Sequence, residues 1–579
     1  MFRRGLAAIL LLGVSGAAVN AADLDTPMTM EPAVVGPRWQ GFSFGGYVSG
    51  TWSSGQSVSQ SWFAPYPGFT STVPTSFSQG LYGGGAGLQL GYDKQYGQFV
   101  TGVMADYGFI GGAKSTTNYS GVTTWPGFGN SAGVRDWINQ SETGSYSQQL
   151  ESLGTARWRI GYAPDNDWLI YADAGLAAGQ TLTTSSLQVA NGYSFYGSRS
   201  GQAVGYTVGG GVQYALGPSM SLGLDALYYN LGNRDNVAVA NFVTYARGTN
   251  IILPSPQLSS KAEFSGFQLR LTAMYQYDGG ASIQGSDPST DPNTNVPITV
   301  GMRAGYSVGQ TRMNLYDGSG SAQLSRLTYK NADSFTAEPF FNMDIPNWGL
   351  YLTGFLGIGQ QPNGTLQDED FAPYTTPYSS TNSSLQDGQL EYGQVDLGYN
   401  VLQTAQYKVG GFLGYTFEND GYNAYGCTQT ATNPSCAGGY ASSGVSSSTL
   451  AISDQYTWNA ARLGISGSYT VAGGLTISGD AAWLPYIHLN ESNNHWLRMP
   501  GDFYAAIPGS GTSSEGFQVA GKVDYRITPG FDVGVGVRYW WMTAKGTVNF
   551  ADASTSGGSQ SANWSSERLQ AFLETGYHF

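Results

Sequence analysis

The chain has 579 residues, 11% of them charged, with 83 glycines, 39 tyrosines, 14 tryptophans and a formal net charge of −14. Soluble domains carry roughly 25% charged residues, so this composition suits a sheet protein whose surface does not face water everywhere, and the length suits two domains. The acidic balance and the lack of a Lys/Arg cluster exclude nucleic acid as a partner, because phosphate contacts need grouped cations.

The N-terminus predicts export. "MFRRGLAAILLLGV" sets Arg3 and Arg4 before a short apolar run, and small Val19 and Ala21 follow at the −3 and −1 positions, so residues 1–21 read as a signal peptide cleaved after Ala21. The run is too short to span a bilayer, and no later run of 18 apolar residues predicts a transmembrane helix. Residues 22–40 form an N-terminal periplasmic segment. An exported chain without spanning helices still crosses a membrane if its strands close into a barrel.

Period-two alternation begins after residue 40. In "YTVGGGVQY", Tyr206, Val208, Val212 and Tyr214 share one face while Thr207 and Gln213 share the other. "QLRLTAMYQY" sets Leu269, Leu271, Ala273, Tyr275 and Tyr277 opposite Gln268, Arg270, Thr272 and Gln276, and "DVGVGVRYWW" repeats the pattern from Val533 to Trp541. An apolar face ending in aromatics is what a membrane interface selects. Eight strands are expected over 41–278, with short turns at "KQY", "APDN" and "ALGP" and long loops near 53–80, 111–149, 182–202 and 233–263. Short turns on one rim and long loops on the other describe an outer-membrane barrel, turns in the periplasm and loops outside.

The segment 279–297 is polar and proline-bearing and fits no strand. It reads as a flexible periplasmic linker spanning on the order of 25 Å; Asp287 and Asp291 lack the glycine and closing glutamate of a calcium loop. Ten longer strands are expected over 298–579, with short turns at "IPN", "TAQ", "VAGG" and "TPG". The fold class is therefore all-β, an eight-stranded followed by a ten-stranded transmembrane antiparallel barrel; the alternative is one 18-stranded barrel. In the last strand Leu569, Ala571, Leu573, Thr575, Tyr577 and Phe579 share a face, and terminal Phe579 resembles the signal by which the barrel-assembly machinery takes its clients.

The first half resembles the eight-stranded outer-membrane immunogenic, porin-like surface antigen family, through "GFSFGGYVSG", "GGGAGLQLGYD", "GQFVTGVMADYGF", "RWRIGYAP", "YADAGLA" and "GYTVGGGVQYALGPSMSLGLDALYYNLG". A barrel of eight strands has its interior filled by side chains. The second half resembles the omptin family of outer-membrane endopeptidases, through "QLSRLTYKNADSFTAEPFFNMDIPNWGLYLTGFLG", "NGTLQDEDF", "QLEYGQVDLGYNVLQTAQYKVGGFLGYTF", "ARLGISGSYTVAGGLTISGDAAWLP" and "ESNNHW". That resemblance implies a ten-stranded barrel standing tall above the membrane, no cofactor, and lipopolysaccharide beside outer-membrane lipid as a partner.

It also implies a site. An Asp-x-Asp pair falls on Asp368 and Asp370, expected in a loop at 367–388, and faces a histidine that falls on His495. Two close carboxylates share a proton and hold a water, and a neutral imidazole opposite takes that water's proton. The family's aspartate two residues before the histidine is Asn493 here. Glu491 matches an acidic position of the pocket for a basic substrate side chain, while the other acid of that pocket falls on Met313. His488 and His578 read as structural. Cys427 and Cys436 lie in one loop of an exported protein and predict a disulfide rather than a metal site. Three functional readings follow: a surface barrel with a structural, adhesive or antigenic role, an omptin-type aspartyl endopeptidase with an altered catalytic pair, and a small-solute channel.

Overall fold

The computed structural model describes residues 38–277 and 297–578, apart from short stretches in turns and loops, among them 127–136, 246–251, 437–444, 500–505 and 551–557. The predicted signal peptide, nearly all of the linker and Phe579 lie outside the described residues. No described helix is long and apolar enough to cross a membrane.

Among the described residues eighteen strands make the walls of two separate antiparallel sheets, each closed on itself, and a further strand, Lys114–Pro126, pairs with Trp137–Tyr162 to extend the first wall. The first ring takes β1 (Gly41–Phe63), β2 (Ser76–Tyr96), β3 (Phe99–Gly111), β4 (Trp137–Tyr162), β5 (Trp168–Val189), β6 (Ser194–Ala215), β7 (Met220–Ala240) and β8 (Gln257–Tyr277) in chain order. It shuts where Phe42 of β1 pairs with Tyr277 of β8. The second ring takes β9 (Ile298–Tyr316), β10 (Gln323–Ile345), β11 (Leu350–Asp370), β12 (Gly388–Gln403), β13 (Tyr407–Gln429), β14 (Val445–Val471), β15 (Leu475–His495), β16 (Gly516–Thr528), β17 (Phe531–Asn549) and β18 (Ser559–His578). Thr299 of β9 pairs with His578 of β18 to shut it. First and last strands pair within each half, so the fold is an eight- and a ten-stranded barrel rather than one ring of 18. The strands Ser379–Leu385 and Ile507–Ser513 extend the second wall at its long-loop rim.

Alternation sorts the side chains as a membrane requires. Outside, Leu88, Leu90, Phe109, Ile160, Leu397, Leu413, Ile465 and Leu573 stand exposed in an apolar belt. Inside, charges are buried in pairs: Arg157, Arg159 and Arg270 with Asp93, Asp106, Asp173 and Asp225 in the first barrel, and Arg303 and Arg538 with Glu338 in the second. The short turns occupy one rim. At Gly473 and Gly474, φ values of +92° and +86° turn the chain between β14 and β15, a conformation glycine adopts without Cβ strain.

The strands run farther than expected. Much of the first half's expected 53–80 and 182–202 loops is sheet, since β1 continues to Phe63, β2 starts at Ser76 and β5 reaches Val189. The expectation required an apolar outer face, which ends where the membrane ends. Beyond it, segments such as "TLTTSSLQV" keep the ladder with Thr and Ser, β-compatible residues whose outer face meets water. Likewise Asp368 and Asp370 end strand β11 rather than sit in a loop.

Candidate functional site

Two bulges aim the site residues. In β11 the register shifts around Pro362, which cannot donate to the ladder. Below it Gln361 points inward; above it the inward residues are Leu366, Asp368 and Asp370. Glu369 faces away and is paired by Arg326, whose Nε lies 2.7 Å from Oε2. In β15 an extra residue near Pro485 shifts the register between Ala461 and Leu463 of its neighbour. Ile487, Leu489, Glu491, Asn493 and His495 then all face the lumen, Ile487 and Leu489 fully buried. The ends of β11 and β15 thus bring Asp368, Asp370, Asn493 and His495 to one mouth of the second barrel, at its long-loop rim.

Asp368, Asp370 and His495 are half-buried there. The barrel wall desolvates the Asp368 carboxyl and the neighbouring Asp370 repels its charge, which pushes it up to about 8, while Arg498 pulls the other way. Burial also raises Asp370, against Arg498 and a hydrogen bond from Ser325. Both carboxyls are therefore pushed above the ordinary carboxylate range. His495 is driven down to about 3, first by burial and then by Arg498, and is neutral. Arg498 ends the 3-10 turn Trp496–Arg498 directly after β15, and its charge acts on all three groups.

Asn493 is engaged elsewhere. It pairs in register with Asp454 of β14, and its Nδ2 donates to Asp454 Oδ2 at 3.0 Å. The same oxygen accepts from the Tyr456 hydroxyl at 2.5 Å and the Tyr329 hydroxyl at 3.2 Å. Burial raises Asp454 to about 7 despite these donors. Glu491 is 4% exposed, and the Trp564 indole N–H donates to it at 2.8 Å. Burial, then the charge of Asp454, push its carboxyl well above the usual range. Met313 is buried in the apolar core with Leu315 and Leu327.

Asp454, Tyr329, Tyr456 and Arg498 escaped the sequence reading. The signal for Asp454 was present: in "SDQYTW" alternation sets Asp454, Tyr456 and Trp458 on one face, an acid among aromatics. Cys427 and Cys436 are joined by a disulfide with Cα atoms 6.1 Å apart. His578 bridges strands, Nε2 to Asp532 at 2.6 Å and Nδ1 to Thr299 at 2.9 Å. His488 faces outward from β15, half-exposed. Among the described residues no group of three His, Cys, Asp or Glu side chains is placed to hold a metal ion.

Comparison with known proteins assigns each half separately. Residues 294–575 match the Omptin family model, and residues 7–245 match the Outer membrane protein beta-barrel domain model. The 31 kDa outer-membrane immunogenic proteins of Brucella melitensis biotype 1 and Brucella suis biovar 1 are each 31% identical over 156 residues, 26% of this chain and 60% of theirs. The chain thus spans about 60% of the length of these curated relatives. Among solved structures, the outer membrane protease OmpT from Escherichia coli aligns at 17% identity over 50% of this chain and 100% of its own, with a TM-score of 0.40. The outer membrane protein OprG from Pseudomonas aeruginosa aligns at 12% identity over 42% of this chain and 98% of its own, with a TM-score of 0.21. The protein is an outer-membrane β-barrel protein with an omptin-like second barrel.

Proposed function

We propose that the protein is a surface barrel of the outer membrane with an adhesive or antigenic role, whose second barrel keeps the rim carboxylates of an omptin-like site without a working acid–imidazole pair. One observation carries this reading: the residue two before His495 is an amide, Asn493, and it is committed to Asp454 Oδ2 at 3.0 Å. A general base needs an anion beside it to stabilise the imidazolium that forms, and a cation there opposes protonation. The printed name of the Brucella relatives supports the antigenic role of the first barrel.

In this reading the mature chain starts at Ala22, residues 279–297 tether two barrels in the periplasm, the long loops face outside among lipopolysaccharide, and Phe579 engages the assembly machinery. Buried ion pairs cross both lumens, which supports a non-conducting barrel; planar bilayers should show no channel activity.

A second reading, an endopeptidase, rests on Asp368 and Asp370 at i, i+2 on one inward face at the end of β11. Outer-membrane vesicles carrying wild type, Asn493→Asp or His495→Ala are given a fluorogenic peptide library. The surface-barrel reading expects wild type and His495→Ala at the same background rate. Wild-type hydrolysis that disappears in His495→Ala overturns it and establishes the peptidase; Asn493→Asp should then hydrolyse faster still.

A further inference from the structure

The two barrels meet above the apolar belt, and there the wall of the first barrel is open. Strands β6 and β7 pair from Tyr206/Asn230 down to Ala215/Ser221 and again at Tyr196/Val239, but the ladder lapses between Tyr196 and Tyr206. Side chains bridge the opening instead. Asn236 Nδ2 donates to the Gly197 carbonyl at 3.2 Å and Arg199 Nη1 to the Asp235 carbonyl at 3.3 Å. The second barrel contributes across the gap: Gln360 Nε2 donates to the Val204 carbonyl at 3.1 Å, and Asn423 Oδ1 accepts from Arg199 Nη2 at 3.3 Å. A cavity of about 420 Å³ remains between the barrels, lined by Thr181, Thr183, Arg199 and Arg234 on one side and Asn423 and Trp496 on the other.

Arg234 is the unusual member. Its Nε and Nη2 atoms are buried and have no hydrogen-bond partner in the protein. Those two N–H groups form the side-on edge of a guanidinium, the fork that receives two oxygens of one carboxylate or phosphate. Buried donors left unmatched are costly. Three acids also line the cavity and each has its own partner: Asp387 is paired with Lys261, Glu391 accepts from Asn419 Nδ2 at 3.2 Å, and Asp454 accepts from Asn493 Nδ2 at 3.0 Å. Burial, then the like charge of Arg199, bring Arg234 down to about 9, so it stays charged at neutral pH.

We propose that this inter-barrel cavity binds a small oxyanion group (phosphate, sulfate or carboxylate), gripped side-on by Arg234 with Arg199 beside it. Such a group arrives either as a free ion or as the headgroup of an anionic lipid. Full-length protein in neutral detergent is titrated calorimetrically with sodium phosphate or sodium sulfate at fixed ionic strength, and separately with phosphatidylglycerol in the micelles. One saturable site is expected for at least one of these probes. Arg234→Gln should weaken it by at least about tenfold, the loss of one charge-assisted bidentate contact. Arg234→Lys keeps the charge but not the fork and should weaken it too; Lys114→Gln, on the first barrel's surface, should bind as wild type. Heat-modifiable migration checks folding, and Arg234→Lys decides if Arg234→Gln does not fold. Response to phosphate or sulfate identifies a free ion, and response to the lipid alone a headgroup. No binding of any probe by wild type, or binding by both Arg234 variants as tight as that of wild type, overturns the proposal.

Discussion

The lumen of the first barrel and the mouth of the second both bury acids, and they treat them in opposite ways. In the first, Arg157 lies 2.5 Å from Asp173, 3.1 Å from Asp106 and 3.7 Å from Asp225, all with side chains 0% exposed. Arg270 adds a second cation to Asp106 at 2.8 Å and lies over the Tyr47 ring at 4.3 Å. In the second, Asp368 lies beside Asp370 and Glu491 beside Asp454, with tyrosine, tryptophan and asparagine as the donors around Asp454 and Glu491. Paired charges hold a structure in place; like charges held together store a proton and a potential for binding. The difference separates a first lumen plugged by ion pairs from a second mouth that holds raised acids.

The plug should be the most sensitive part of the molecule. Arg157→Met leaves three buried carboxylates around an apolar side chain, and breaking a buried pair from one side costs about 3–5 kcal/mol. The midpoint of unfolding of the full chain, followed by heat-modifiable migration, should drop by a corresponding margin. Asp368→Asn at the mouth removes a repulsion instead and should leave the midpoint unchanged or raise it, within about 1 kcal/mol. Equal losses in the two variants would erase the distinction between plug and mouth.

Acidity sharpens the same contrast. Asp368 rises from its ordinary 3.8 to about 8 in the folded chain. Between those values the folded state binds more protons than the unfolded one, so this group's contribution to stability falls as pH rises and is least favourable above about 8. His495 has the opposite sign. Its value drops from 6.5 to about 3, so its contribution is lost as pH falls through that window. From about pH 9 to about pH 7 the His495 contribution changes little and the other raised acids are common to both chains, so acidification should stabilise wild type more than Asp368→Asn. Thermal midpoints of both at the two pH values measure this. Identical shifts would mean that the carboxyl titrates as an ordinary exposed one.

The strand count, the two rings and the in–out sorting were legible because alternation and the spacing of short turns survive in the sequence even where identity is low. Strand height was not, because polar alternation beyond the belt looks like loop until the register shows Thr181 and Thr183 continuing the ladder. Of the site, Asp368, Asp370 and His495 were visible as an i, i+2 pair and a histidine on matching rims. Asp454 was not, because its bond to Asn493 depends on the cross-strand register of β14 and β15, which a bulge at Pro485 sets. Arg498 was hidden for a similar reason: it acts through a turn that reverses direction just past the strand.

The wall around the mouth is the next thing to loosen. Cys427 and Cys436 close a short loop beside it. Chain-entropy reasoning puts such a closure at about 2–3 kcal/mol of local stability. The double variant Cys427→Ser, Cys436→Ser should keep its membrane barrel, seen as unchanged heat-modifiable migration, while added protease nicks the 430–444 segment faster in intact vesicles. Equal nicking rates would show that strands β13 and β14 hold the segment between them without the disulfide.

The smallest effect belongs to the ion pair between the barrels. Lys261 of β8 meets Asp387, just before β12, and both side chains are about a third exposed, 32% and 26%. Water and salt screen such a pair, and holding two mobile side chains together offsets much of the Coulomb gain, so exposed pairs contribute about 0–1 kcal/mol. Lys261 also lies 5.5 Å from the Tyr425 ring centre, a further weak contact that a neutral side chain loses. Lys261→Gln should therefore lower the unfolding midpoint by less than about 1 kcal/mol, and the deficit should shrink as salt is raised. This is the same chemistry as Arg157 with Asp173, a cation against a carboxylate at short range. A fall as large as that of Arg157→Met would mean that burial does not separate the two, and that the barrels depend on their docking as strongly as each depends on its plug.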